Sequence, residues 1–526
     1  MRVLVSDSVS DKGLAILRAE KDIEVVVDTK MTPDQLIAEI GKYDALIVRS
    51  ATKVTREVIE AAANLKIIGR AGAGVDNIDL EAATNRGVIV VNTPGGNSVS
   101  TAEHTVAMLL AMARNIPQAH MSMKQGKWDR KSFTGVEIQG KVLGVVGLGR
   151  IGREVAKRGI GLSMEVLGYD PFISEDLARS LGINLVDLDD LCRQADFITV
   201  HTPLNEHTRG LIDGRRIDLM KRGVRIVNCA RGGIIDEKAL ADALKSGKVA
   251  AAALDVFENE PPTSSELVGL DNVVLTPHLA ASTEEAQENV AVDVARQVVR
   301  ALQGKSFRNA VNLPSTDPET YEFLRPYLSL ASRLGTFLGS TASGSLEAVE
   351  IEYTGDLAEL DVGAVTNYLL QGFLAPVIEV PVTIVNAPLI ARSRGIRVSE
   401  TKSKDHRGFP ATIRAKAVGK EMQRSISGTV YEGSELRIVE VDGYRVDFEP
   451  AGDVLLIPHV DKPGVIGAVG QLLGKENINI AAMHVGRKEI GGRAVMLLGI
   501  DGSPSRSALE AVKTVDGVLD VRYVRM

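Results

Sequence analysis

The chain has 526 residues, 44% of them hydrophobic and 25% charged, with a mean hydropathy of +0.05, an ordinary composition for a protein that buries several sizeable cores. Lys and Arg number 61 against 68 Asp and Glu, and this net charge of -7 argues against a general nucleic-acid or anionic-membrane surface while leaving room for local basic pockets. The only two cysteines, Cys192 and Cys229, exclude a disulfide framework and a cysteine metal cluster, and no metal site is expected.

The elements follow in order. "RVLVSD" is apolar and β-branched, and Asp7 and Asp11 arrive too early for a signal-peptide core. No apolar run approaches the ~18 residues of a membrane span, so a cytoplasmic, non-membrane protein is the expectation. "IEVVVD", "DALIVRS", "KIIGRAG" and "GVIVVN" come next, each separated by a helical or turn segment. Buried apolar runs alternating with amphipathic helices predict βαβ units on a parallel sheet. "TAEHTVAMLLAMARNIPQAH" reads as one long helical segment, and a second alternating series runs from Lys141 to about Pro277. From about Thr316 to Gly452 the texture changes to β-rich pieces such as "EVPVTIVNAP" and "GYRVDFEP". The remainder has a compact βαββαβ pattern.

The strongest local motif is "KVLGVVGLGRIGREVAKRG". Val142 to Val146 form a strand, Gly147, Gly149 and Gly152 make G-x-G-x-x-G, and a helix opens at about Arg150. The glycines serve a tight turn, close approach to a pyrophosphate, and helix–strand packing. The diphosphate then sits on unpaired N–H groups at the helix start. A second strand, "EVLGYDP", ends in Asp170, 18 residues beyond Gly152. A carboxylate there accepts both ribose hydroxyls and repels a 2′-phosphate, which favours NAD over NADP.

Three charged residues each lie just past an apolar strand: Arg231 in "NCARGG", Glu260 in "DVFENEPP" and His278 in "VVLTPHLAAS". In an open parallel sheet the carboxyl ends of the strands line the ligand crevice. Singly, each residue fits an ordinary cap, turn or surface position. Jointly, on the edge that carries the glycine motif, they form an anion grip and an acid–base pair beside a nicotinamide. A histidine works in both directions near neutrality, a carboxylate on its other nitrogen orients the ring and favours the imidazolium, and an arginine fork grips a carboxylate.

"GLGRIG", "YDP", "NCARGG", "DVFENEP" and "PHLAAS", with "VRSAT", "GRAGAGVDNIDL" and "NTPGGNS" earlier in the chain, resemble the D-2-hydroxyacid dehydrogenase family. The likeness is greatest to long members that oxidise 3-phospho-D-glycerate to 3-phosphooxypyruvate at the start of phosphorylated serine synthesis. It implies an α/β fold: a Rossmann-type doubly wound parallel sheet (98–283) plus a flavodoxin-like substrate domain (1–97 with 284–315). An α+β intervening domain (316–452) and a βαββαβ ACT domain (453–526) would follow. By the same likeness Arg231 binds the substrate carboxylate, His278 is the acid/base and Glu260 its partner. NAD contacts would come from Arg150, Ile151, Asp170, Thr202, Pro203, Cys229, Ala230, Arg231, Asp255 and His278, together with Ala280 and Ala281. Ala280 stands where many relatives have glycine, a departure whose extra methyl could crowd the backbone near the nicotinamide but should not abolish binding.

A phosphorylated substrate needs further cations. Arg49 in "VRSAT" and the group Lys127, Arg130 and Lys131 in "GKWDRKSF" are the candidates, the latter reaching from a neighbouring subunit in the resembled family. Backbone N–H groups of Gly72, Ala73 and Gly74 and the side chain of Asn97 would complete that pocket. In "DVLLIPHVDKPGVIGAVGQLLGKENINIAAMHV", Pro463 is expected to start a helix whose buried face is Val465, Ile466, Val469, Leu472 and Leu473. The ACT resemblance makes serine the expected effector, with His459, Asp461 and Asn479 as its contacts, and a homo-oligomer (dimer or tetramer) the expected assembly. In "TKSKDHRGF" the residues Lys402, Lys404, His406 and Arg407 form a possible anion site or a solvated loop. The competing readings are another D-2-hydroxyacid dehydrogenase, such as a hydroxypyruvate or glyoxylate reductase, and a non-catalytic NAD-sensing corepressor.

Overall fold

The computed structural model describes residues 1–314, 317–406, 408–420, 422–432 and 434–526. The first sheet comprises β1 (Arg2–Val5), β2 (Glu24–Val27), β3 (Ala45–Val48), β4 (Ile67–Arg70) and β5 (Ile89–Val91), all parallel, in the order β2-β1-β3-β4-β5. Its middle strands are buried on both faces, which is why they read as unbroken apolar runs. The helix Glu284–Leu302 returns to this sheet from far along the chain, and Val290, Val294 and Val298 join its core. A Cβ at Gly13 would lie 2.7 Å from the carbonyl oxygen of Ala291, so that helix sits flush on Asp11–Arg18.

The second sheet comprises β6 (Val142–Val146), β7 (Glu165–Tyr169), β8 (Asn184–Leu185), β9 (Phe197–Val200), β10 (Val224–Asn228), β11 (Val249–Leu254) and β12 (Val273–Leu275). It too is wholly parallel, in the order β12-β11-β10-β9-β6-β7-β8, with apolar cores on both faces. Strand order reverses between β9 and β6, the place where such sheets open a ligand crevice. The helical stretch before it is two helices, Ser98–Ala113 and Ile116–Lys124, because Asn115 turns left-handed at φ 52° between them. Asparagine is one of the few residues that takes this conformation readily.

The third sheet comprises β13 (Leu346–Gly355), β14 (Arg397–Ser403), β15 (Ala411–Gly419), β16 (Gln423–Tyr431), β17 (Glu435–Val441) and β18 (Tyr444–Phe448). Only its β13–β14 pair is parallel. Helices Pro318–Thr341 and Gly363–Leu374 pack together beside it at almost backbone distance. Cβ atoms at Gly335, Gly339 and Gly372 would lie 2.1, 2.1 and 2.0 Å from the carbonyl oxygens of Leu369, Phe373 and Ser332. The loop before Asn386 docks on the first unit: Thr383 Oγ1 donates to the Gly87 carbonyl (3.2 Å) and Asn386 Nδ2 to that of Asn85 (3.4 Å).

The fourth sheet, β19 (Asp453–Val460), β20 (Ile480–Arg487), β21 (Arg493–Ile500) and β22 (Arg522–Arg525), is antiparallel in the order β20-β21-β19-β22, with one helix after β19 and another after β21. Two local expectations are corrected here. The helix runs Val465–Lys475 with Gly464 as its N-cap at φ +93°, so Pro463 lies outside it. Ile466 is 42% exposed although it lies seven residues before the buried Leu473 and so at nearly the same helical angle; it stands in the first turn, which leaves it open.

The glycine contacts give a test. Gly339→Ala is expected to destabilise the protein by about 2–3 kcal/mol through overpacking. Gly161→Ala, where a Cβ meets nothing within 4 Å, should stay close to wild type in the same thermal and denaturant unfolding measurements. Equal stability of the two variants would contradict this packing.

Candidate active site

β6 ends in the glycine loop. Gly147 has φ +92°, and a Cβ there would meet the His201 carbonyl oxygen at 2.8 Å. A Cβ at Gly152 would lie 1.9 Å from the Gly147 carbonyl oxygen, so the helix Arg150–Gly161 presses directly on the turn. At Gly149, the N-cap, a Cβ would enter open space, and no side chain caps the helix start. The first N–H groups are therefore available to an anion. Asp170 stands next to them, its Oδ2 accepting from the Leu148 N–H (2.8 Å) and its Oδ1 from that of Phe172 (2.9 Å). Thr202 Oγ1, across the loop after β9, is buried without a partner. An open cradle, a free helix start and an orphaned hydroxyl fit a dinucleotide. Pro203 lies exposed beside Thr202, its carbonyl accepting from Thr208 Oγ1 (2.5 Å). Ile151 and Ala281 are half-buried, and the exposed Arg150 places its Nη1 3.4 Å from where a Cβ at Gly95 would be. Cys229 lies buried under the next loop, where burial pushes its thiol up to about 12, so it packs rather than reacts.

The acid–base pair is formed. His278 Nδ1 and Glu260 Oε2 are 2.9 Å apart, which leaves Nε2 as the ring nitrogen for a substrate. Burial pushes the Glu260 carboxyl up, but the His278 bond and charge and the Phe257 N–H (3.2 Å) outweigh it and hold the group below its ordinary range. The stability this carboxylate contributes is complete above the ordinary carboxylate range and is lost as pH falls through its lowered value.

His278 is itself held in a left-handed conformation, φ 56°, with its N–H donating to the carbonyls of Asp255 (2.9 Å) and Thr276 (3.0 Å). The Asp255 carboxylate accepts from Thr276 Oγ1 (2.5 Å) and from the N–H groups of Leu279 (2.7 Å) and Ala280 (2.9 Å). His104 Nε2 stands 3.4 Å away. Asp255 is 0% exposed, so what it visibly does is fix the loop that carries His278. Ala280 also turns inward and packs with Val274 and Cys229. Its methyl fills the core instead of crowding the cradle.

Arg231 follows β10 and crosses to the first unit. Its Nε donates to Asp76 Oδ2 (2.9 Å), its Nη1 to the Ala230 carbonyl (2.6 Å), and its Nη2 lies 1.7 Å from where a Cβ at Gly74 would be. Ala230 in turn donates its N–H to Asn228 Oδ1 (3.0 Å). Arg231, Glu260 and His278 line one cleft of 810 Å³ between the carboxyl edges of the two parallel sheets, with Arg70, Asp76 and Lys53 on the facing wall. Arg70 and Asp76 were not foreseen, although "GRAGAG" sets Arg70 at a strand end before glycines, as "NCARGG" sets Arg231.

The other forecast residues are less gathered. Arg49 does not line the cleft; its Nη1 donates to the Ser8 carbonyl (3.1 Å). Arg130 and Lys131 are exposed in a turn closed by Asp129 and also lie outside the lining, since an isolated chain leaves that turn in solvent. Asn97 is buried with Oδ1 unpartnered, and Ala73 offers its carbonyl to Asn92 Nδ2 (2.5 Å). Gly72 lies beneath Arg70. His459 is 1% exposed on β19, an interior strand of its sheet, its Nδ1 3.2 Å from the Ile457 carbonyl. Asp461 Oδ2 accepts from Arg487 Nη1 (2.9 Å), and Asn479 Nδ2 donates to Asp501 (2.7 Å). Lys402 donates to the Leu360 carbonyl (2.5 Å), Lys404 pairs with Glu359 (2.5 Å), and His406 Nδ1 lies 2.9 Å from the Pro410 carbonyl. Arg407 lies outside the described residues.

A dinucleotide cradle, a His–Glu pair and a cleft-crossing arginine on two facing parallel sheets define an NAD-binding dehydrogenase of the D-2-hydroxyacid class. Residues 106–280 match the D-isomer specific 2-hydroxyacid dehydrogenase NAD-binding domain, 323–442 the D-3-phosphoglycerate dehydrogenase intervening domain, and 454–517 the ACT domain. The chain is 49% identical to D-3-phosphoglycerate dehydrogenase of Archaeoglobus fulgidus over 100% of both chains. Identity to the Bacillus subtilis enzyme of that name is 44% over 99% of each. A solved Aquifex aeolicus D-lactate dehydrogenase complexed with NAD and lactic acid is 30% identical, with a TM-score of 0.53, and covers 60% of this chain and 100% of its own. The chain belongs to the D-3-phosphoglycerate dehydrogenase family.

Gly152→Ala should weaken NAD binding about 10-fold or more, a loss of ~1.4 kcal/mol, because the 1.9 Å contact forces helix and turn apart. Fluorescence titration of the cofactor reads this directly, and an unchanged Kd would refute the cradle.

Proposed function

We propose that this chain oxidises 3-phospho-D-glycerate to 3-phosphooxypyruvate with NAD, the committing step towards serine. The observation that carries this reading is the convergence of Arg231, Glu260 and His278 on one cleft beside the glycine loop. The substrate carboxylate takes the Arg231 fork, which Asp76 and the Ala230 carbonyl already hold in place. This sets the neighbouring carbinol against His278, whose Nε2 takes the hydroxyl proton. Glu260 fixes the ring through Nδ1 and balances the positive charge that develops on it. Bound nicotinamide supplies the hydride acceptor. Asp170 accepts the adenosine ribose hydroxyls and disfavours a 2′-phosphate.

The division of the chain follows: 1–97 with 284–315 binds substrate, 98–283 binds NAD, and 316–452 and 453–526 regulate. Serine acts at the last unit, where Asp461 and Asn479 are its reachable polar groups. Homo-oligomerisation covers the exposed Ile116, Met121, Met123 and Trp128, the last 76% accessible, and places Arg130 and Lys131 against a neighbour. An exposed apolar group of this kind is what a protein interface uses.

The test is NAD reduction with 3-phosphoglycerate. His278→Ala should lower kcat by about 10²–10⁴-fold, and Glu260→Gln should lower kcat with little change in KM. Turnover of an unphosphorylated 2-hydroxy acid with none of 3-phosphoglycerate would replace this reading by the hydroxypyruvate-reductase one.

A further inference from the structure

The stretch 307–314 leaves the first unit along the edge of its sheet formed by β5. Ala310 bridges to Val91, the Val311 N–H donates to the Val90 carbonyl (2.7 Å), and Asn312 Oδ1 accepts from the Val90 N–H (2.9 Å). Pro314 then lies against the start of the helix Gly363–Leu374, where a Cβ at Gly363 would meet its Cγ at 3.2 Å. Between this stretch, that helix, the helix Pro318–Thr341 and Ile384 lies a cavity of 70 Å³. It shares no lining residue with the catalytic cleft. A single water needs only ~10–15 Å³.

The lining is divided by chemistry. Phe307, Leu313, Leu328 and Ile384 form apolar walls, and no charged side chain lines the cavity among the described residues. Tyr321, Tyr368 and Asn367 supply the polar groups. Asn367 is 9% exposed, and its amide makes no hydrogen bond among the described residues. The Tyr321 and Tyr368 hydroxyls are likewise without a partner there, and burial pushes both phenols up, so they stay neutral. Thr366, one position earlier on the same helix, is fully engaged, its Oγ1 bonded to the Tyr353 hydroxyl (2.7 Å) and to Glu400 (2.5 Å). Proteins rarely leave enclosed polar groups unpaired. Two phenols and an amide that converge on one uncharged, otherwise apolar cavity match the pattern of a small-molecule site. An ionised group would enter it without a counterion, which excludes phosphorylated acids, nucleotides and zwitterionic amino acids.

We infer that this cavity binds a small uncharged molecule, with a single ring or branched chain as its body and one hydroxyl or carbonyl as its polar end. The polar end pairs with Asn367 and the two phenols, and the body fills the space between Phe307, Leu313, Leu328 and Ile384. Ala310 is tied to β5, and Thr383, next to Ile384, donates to the Gly87 carbonyl (3.2 Å). An occupant therefore touches the segments that join the first unit to the third and steadies that junction. The site is independent of which 2-hydroxy acid the cleft oxidises.

The full chain is titrated by calorimetry with phenol as the probe and with benzoate as a charged molecule of similar size. Phenol should bind one site with a Kd on the order of 1 mM, and benzoate at least ~10-fold more weakly. Ala364→Leu, which fills the cavity from the second helix, should abolish this binding. Asn367→Leu should weaken it about 5-fold through the lost hydrogen bond. Phenol should also raise the unfolding temperature of wild type and leave that of Ala364→Leu unchanged. A phenol titration that does not saturate, equal affinity for benzoate, or undiminished binding in either variant overturns the assignment. Should Ala364→Leu fail to fold, Asn367→Leu, which keeps the shape of the side chain, decides alone.

Discussion

The Arg231 guanidinium belongs to the second sheet by its backbone and to the first by its contacts. It leaves the carboxyl end of β10, crosses the cleft, and settles on Gly74 and Asp76 beyond the carboxyl end of β4. A side chain at position 74 would occupy the place of its Nη2, so the contact exists only because that residue is glycine. Parallel strands bring this about. Their carboxyl ends all point one way, so every loop that carries chemistry leaves the same edge, and two such sheets set edge to edge enclose a cleft with function on both walls. The connection is tight as well as short. A Cβ at Gly96 would meet Val290 Cγ1 at 2.7 Å, Gln297 Nε2 donates to the Asn92 carbonyl (3.0 Å), and the Ser100 and Thr283 hydroxyls are 2.8 Å apart. These contacts pin the crossing segments, and with them the distance across which a small acid is held.

Charge inside the cleft is arranged by layers. Asp255, fully enclosed, spends its oxygens on the backbone behind His278 and keeps that residue in a conformation it would otherwise seldom take. Glu260, half-enclosed, spends one oxygen on the ring and the other on a backbone N–H. Neither carboxylate is free to neutralise the arginines opposite. On the facing wall Lys53, Arg56 and Arg70 stand against Glu57, Asp76 and Asp79, so the charges balance and an anionic substrate depends on specific contacts with individual cations.

How much of this can be read from residues alone depends on whether the signal is local. The glycine motif is local: strand, turn, helix and acid follow in one unbroken stretch, and Gly147, Gly152 and Asp170 stand where that stretch requires. Arg231, Glu260 and His278 were also legible, because strand ends in a parallel sheet share an edge whatever the details of the loops. Arg70 obeys the same rule and was passed over in favour of Arg49 and the charged turn at Arg130. A run of charges on a turn carries no information about which way the turn faces, and Arg49 and Arg130 are not among the residues that line the cleft. His459 is enclosed for a related reason: β19 is paired on both sides, with β21 and β22, a placement that composition cannot show. Pro463 was misplaced by the ±1–2 residues that separate a proline before the cap from one after it.

The helix Leu80–Arg86 extends the constraint beyond the two parallel sheets. Its N-cap, Asp79, accepts from the Ala82 N–H (2.8 Å) and lies on the cleft wall with Asp76, the partner of Arg231. Its other end is met by Thr383 and Asn386, which take up the carbonyls of Gly87 and Asn85. Gly87 is left-handed there, φ +80°, and a Cβ would lie 2.4 Å from Thr383 Oγ1, so this junction too closes at backbone range. Seven residues thus join the third unit to the loop that steadies Arg231. Contiguity alone does not make a signal, since coupling requires an element with two arrangements that both ends bias unequally. A short helix, capped by a side chain at one end and gripped by a neighbouring unit at the other, moves as a body or not at all. Asp76 itself lies three residues before that N-cap, so a displacement of Thr383 and Asn386 would reach it only through the loop that Asp79 closes.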